Sequence, residues 1–134
     1  MSAAMATTAR VLIPGVPPAW TNERGHHMAL HARKDRWKQL AWTLAQSARN
    51  AAGWPPLDRV EPAPRWVAFT LHRHRLLDTD NAWASVKPLL DGLKGVLVVD
   101  DSPRWCSVVS VAQLQVPTRE PEHSVIVVYL ADPR

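Results

Sequence analysis

The residues best able to do chemistry together lie in one stretch, 76–105, which reads LLDTDNAWASVKPLLDGLKGVLVVDDSPRW. It carries Asp78, Asp80, Lys87, Asp91, Asp100 and Asp101. Asp78 and Asp80 are two apart, so if the extended geometry of a preceding strand continues through them, both carboxylates point to one side. Asp80 to Lys87 is seven residues, about two helical turns, so on a continuous helix Asp80, Ala84, Lys87 and Asp91 share a face. The apolar run 96–99 ends directly in Asp100-Asp101, the way a buried segment hands an acidic pair to the edge of a core.

Three carboxylates held within a few ångströms repel one another, and a divalent cation removes the conflict. Ligation by carboxylate oxygens without Cys or His favours magnesium, with manganese able to substitute. Such an ion lowers the pKa of a bound water, orients it for attack on a phosphodiester and neutralises the leaving oxygen. Lys87 would position the nucleophile or steady the charge at phosphorus. Asp78, Asp80 and Asn81 equally suit a turn and helix N-cap, where Asp and Asn accept backbone N–H bonds.

Two helices and four strands are needed to place these groups. Residues 10–13 form an apolar run stopped by Pro14-Gly15 and a proline-rich turn through Pro18, a strand followed by an irregular loop. Across 28–52, Leu30, Trp37, Leu40, Ala41, Leu44 and Ala48 recur at helical spacing, and Gly53, Pro55 and Pro56 supply the stop. The composition of 65–72 favours a strand. A second helix is expected over 81–95 on the stripe Ala82, Val86, Leu89, Leu90 and Leu93. Pro88 removes a backbone donor there, which predicts a kink near 84–87 or a later start. Runs 106–116 and 123–130, separated by 117–122, have the composition of an antiparallel hairpin with a wide loop. The order β-α-β-α-β-β predicts a single two-layer α+β domain over 10–134, a mixed sheet with both helices on one face, preceded by a flexible 1–9.

At 134 residues the chain suits one domain, and 16 Lys and Arg against 12 Asp and Glu give a net charge of +4. That excess suits a polyanionic partner without requiring one. One cysteine, Cys106, excludes an intramolecular disulfide, and no Cys/His cluster has zinc-ligand spacing. With no signal-like segment and no apolar stretch approaching ~18 residues, a cytoplasmic protein without a membrane span is expected.

The Asp78-x-Asp80-Asn81 pattern, then Lys87 followed by Leu90-Asp91-Gly92-Leu93, then an apolar run ending in Asp100-Asp101, resembles the signature of the RusA-type Holliday-junction resolvases. The close likeness covers about a quarter of the chain; the N-terminal strand and Asn22 ahead of a basic helix are weaker parts of it. The resemblance implies a mixed α+β fold, a homodimer, magnesium, and resolution of four-way DNA junctions by symmetric paired nicking in recombination and repair, in a bacterial or phage-infected cell. Carried over by position, the metal-binding aspartates are Asp78, Asp80 and Asp101, the essential lysine is Lys87, and Asn81 supports the site. Asp100 is the lesser candidate.

Two departures stand out. The gap from Asp80 to Lys87 is longer than in the shortest family members by about one helical turn, which preserves the helical face. Leu77 stands where a basic residue often precedes the first aspartate, so a phosphate contact would pass to Arg73 or Arg75. A junction has two scissile phosphates related by a two-fold axis, so paired incision from one metal site per protomer needs a symmetric dimer. The alternatives are a related nuclease for flaps, forks or other branched DNA, and a non-catalytic branched-DNA-binding dimer.

Beyond Asn81, Arg73 and Arg75, nucleic-acid contacts are expected from Arg33 and Lys34, although Arg33, Lys34, Arg36, Lys38 and Arg49 also suit a solvated helix face. His26, His27 and His31 fit DNA contact or solvent better than a metal cluster. Trp37, Trp42 and Trp66 occupy core-like positions, whereas Trp20, in the proline-rich loop, suits a wedge into DNA.

Overall fold

The computed structural model describes residues 5–23 and 25–134, without the side chain of Asn22. The elements are β1 (Thr8–Pro14), α1 (His27–Ala52), β2 (Arg65–Arg73), α2 (Thr79–Ser85), α3 (Lys87–Leu93), β3 (Cys106–Gln115) and β4 (His123–Tyr129). The order is the expected β-α-β-α-β-β, with the second helix in two pieces. Their junction is Val86, at φ −85° and ψ −6°. Pro88 explains it: the ring has no N–H and collides with the carbonyl one turn earlier, so α3 starts afresh with proline in its first turn.

Thr8 and Ala9, expected within a flexible segment, instead belong to β1. Ala9 is buried, Ala6 N–H donates to Ala52 O at 3.0 Å, and Trp54 Nε1 donates to Ala6 O at 2.7 Å. Residues 1–4 of that segment lie outside the described residues, as does the Asn22 side chain.

The sheet order is β1-β4-β2-β3. β4 runs antiparallel to both β1 and β2, and β3 lies at the edge, parallel to β2. This corrects the expected β3–β4 hairpin. Apolar, β-branched composition marks both segments as strands but does not choose partners, and β4 is buried at Ser124, Val125, Ile126 and Val128 as an inner strand requires. Alternation along β2 buries Arg65, Val67, Phe69, Leu71 and Arg73 on one face. The core joins that face to α1, α3 and the run Val96, Leu97 and Val98.

Two contacts fix α3 and the apolar run after it. α1 presents the small residues Ala41, Ala45, Ala48 and Ala52 inward, and Gly92 sits against that surface so closely that a Cβ would lie 2.4 Å from Lys38 O. Arg65, buried in β2, donates to Leu97 O at 2.8 Å and so ties the run 96–99 to the start of that strand. No helix among the described residues is long and apolar enough to cross a membrane.

Candidate functional site

Strand β2 ends at Arg73, and although Asp78 itself is extended, Thr79 and Asp80 are already helical, so Asp78 and Asp80 do not alternate along a strand as expected. Asp78 is the N-cap of α2: its Oδ1 accepts from Asn81 N–H at 2.8 Å and its Oδ2 from Asn81 Nδ2 at 3.1 Å. Thr21 Oγ1 donates to Asn81 Oδ1 at 2.9 Å, which docks the loop after β1 onto the same helix start. Asp80 projects into solvent from the first turn of α2. The capping role read as an alternative is therefore the one Asp78 fills.

A second group of charges forms around α3. Lys87 Nζ donates to Asp101 Oδ2 and lies 3.1 Å from Asp91 Oδ1. Lys94 Nζ lies 3.2 Å from Asp101 Oδ2 and 3.5 Å from Asp91 Oδ1. The hydrogen bond from Lys87, helped by the one from Lys94 and opposed by partial burial, holds the Asp101 carboxyl at about 2. The same bond to Asp101 raises Lys87, with burial working against it and Asp91 adding to it. Burial of Lys94 would lower its pKa, but Asp101 and Asp91 outweigh that and raise it.

The two groups are approached from different ends of β2. β3 runs parallel to β2 with Cys106 opposite Arg65, so Asp101 belongs to the end of the sheet where β2 begins. Asp78 follows the other end of β2, from which α2 and α3 lead the chain back to Lys87 at Asp101. Carboxylates are the right donors for a hard cation, but their arrangement does not fit one. Among the described residues no three His, Cys, Asp or Glu side chains are grouped to hold a metal ion. The expected triad of Asp78, Asp80 and Asp101 is not assembled.

No family model and no curated protein matches this chain. Its function must be read from its own surfaces.

Foremost among these is a groove of about 850 Å3 lined by Trp20, His31, Lys34, Lys38, Trp83 and Lys87, with Asp35 and Asp91 as its acids. Of the four residues expected on one helical face, Ala84, Lys87 and Asp91 form one wall of it and Asp80 does not line it. Trp20 Nε1 donates to Ser85 O at 3.2 Å, fixing the ring, and Lys34 Nζ lies 5.5 Å from its centroid. Trp20 is thus a wall of a basic groove.

Other expected contacts divide. Arg75 is exposed beyond β2. Arg73 is corrected: it is buried, its NH2 donates to Ser85 Oγ at 3.0 Å, and burial lowers its pKa. A buried guanidinium under α2 is not a phosphate contact. Arg33 turns to Ala29 O at 3.4 Å and to Glu23 at 3.6 Å. His26 caps α1 through Nδ1, accepting from Met28 N–H at 3.2 Å. Trp42, placed in the core by its sequence position, is 47% exposed. Burial first, then the nearby acids, pushes the Cys106 thiol up to about 11, which leaves it a poor nucleophile.

Lys94 and Trp83 are the residues that sequence reasoning missed. The i,i+3 spacing of Asp91 and Lys94 was a usable signal for the first. For Trp83 the signal was a large aromatic between Ala82 and Ala84, off the apolar stripe.

Proposed function

We propose that this protein is a structure-specific endodeoxyribonuclease acting as a homodimer on branched DNA, four-way junctions above all, with magnesium as the cofactor that the family resemblance implies. The observation that carries the reading is the pairing of Lys87 with Asp101. These two residues, nominated by motif spacing alone, are 14 apart in sequence and in direct contact at the side of a basic groove. Lys34 and Lys38 offer that groove's charge to a phosphate backbone, and Asp91 and Asp101 hold Lys87 in place at its side. Among the described residues the carboxylates do not gather as a metal site.

That same feature favours a second reading, a branched-DNA-binding dimer without catalytic activity. The two are separated by incubating a synthetic four-way junction with wild-type protein and with Asp80→Asn in magnesium, and following binding in calcium, which supports chemistry poorly. The nuclease reading expects paired symmetric nicks from wild type and binding without cutting from Asp80→Asn. Binding with no cutting in magnesium or manganese installs the second reading. Matched fork and duplex substrates report the preference among branched DNAs. Under either reading, junction affinity falls steeply as salt rises.

A further inference from the structure

We infer that the groove between α1 and the α2–α3 pair takes an unpaired nucleotide of the branched substrate, stacking its base on Trp83 and holding its phosphates with Lys34 and Lys38. The inference rests on the proposed DNA-binding function and names the part of the substrate this surface reads.

Trp83 is 43% exposed, on a short helix whose Ala82 and Ser85 are buried. An indole left in water beside three lysines is an open π-face within reach of cations, the combination that binds single-stranded nucleic acid. Trp20 is differently placed. Its N–H is taken by Ser85 O and Lys34 lies over its ring, so it serves as a fixed wall that also positions Lys34. Lys87 is already held by Asp91 and Asp101, which leaves the phosphate role to Lys34 and Lys38. The volume, about 850 Å3, falls in the range of small-ligand sites, roughly 300–1,000 Å3. Bases inside a duplex stack on each other and offer no free face, so only a base unpaired at a branch or in a single strand can use Trp83.

The test measures equilibrium binding of the full chain to an oligothymidylate and to a blunt duplex of matched length, in EDTA so that nothing is cut. Trp83→Ala is expected to weaken the oligothymidylate roughly ten-fold or more while changing duplex affinity little, and Trp83→Phe to retain most of it. Quenching of intrinsic fluorescence by the oligothymidylate should shrink with Trp83→Ala. Unchanged oligothymidylate affinity, or the same loss on both DNAs, overturns the inference. If Trp83→Ala does not fold, Trp83→Leu against Trp83→Phe decides the same question, since both are bulky and apolar and only one stacks. Absence of magnesium-dependent junction cleavage would defeat the nuclease reading alone, because this binding test involves no cleavage.

Discussion

Asp78 and Asp101 have the same side chain and each flanks an apolar segment, yet they are held in opposite ways. Asp78 serves the backbone three residues ahead of it, capping α2 through Asn81. Asp101 is held by lysines 14 and seven residues back, brought to it only by the packing of α3 and the run 96–99. A cap needs nothing beyond its own turn. An ion-pair cluster needs the tertiary fold, and so reports on it.

The largest effect should come from disturbing the packing that builds the second region alone. A methyl at Gly92 would meet Lys38 O at 2.4 Å and Ala41 Cβ at 2.7 Å, both on the body of α1. Gly92→Ala is expected to cost about 3 kcal/mol in urea unfolding, as overpacking does. A near-neutral result would mean that the α1–α3 contact is slack and that the lysine–aspartate cluster is not rigidly placed. Next, Asp78→Ala should cost about 1 kcal/mol through loss of the N-cap, whereas Asp78→Asn should retain stability because Asn caps equally well. Loss of junction cleavage in a stable Asp78→Asn would add a role for the charge beyond capping.

A smaller effect is expected from acid. The Asp101 carboxyl is held at about 2, below its ordinary 3.8, so its ionised form favours the folded state. That contribution is complete above the ordinary value and disappears as pH falls through about 2. Lys87, raised above 10.5, contributes below that value and loses its contribution as pH rises past the raised one. Thermal melts of Asp101→Asn across the acid range should show a shallower decline than wild type; identical slopes would break the contrast between the two regions. Smallest of all, Asp91→Asn should shift stability by about 0.5 kcal/mol or less, since its partner Lys87 is largely in water. A larger loss would make Asp91 a structural member of the cluster.

Much of the fold was legible. The stripe of α1, the strand character of β2 and the break before Pro88 are written in neighbouring residues and appear as expected. Period-2 alternation from Arg65 through Val67, Phe69 and Leu71 also put Arg73 on the buried face, so its loss as a surface contact was itself readable. The exposure of Trp42 follows from the Ala41, Ala45, Ala48 and Ala52 stripe, which leaves its position off the packed face. The candidate site was legible only in part. Spacing nominated Lys87 with Asp101, and helical periodicity put Ala84, Lys87 and Asp91 together.

The sequence by itself determined the element order, the helix break and the residue types available for chemistry, because turn, period and proline effects act over a few residues. Tertiary structure decided that β4 would lie between β1 and β2 and that β3 would run parallel to β2. It also decided which cations meet Asp101. Strand partners and ion pairs are chosen by competition among distant segments, settled only when burial removes the alternatives.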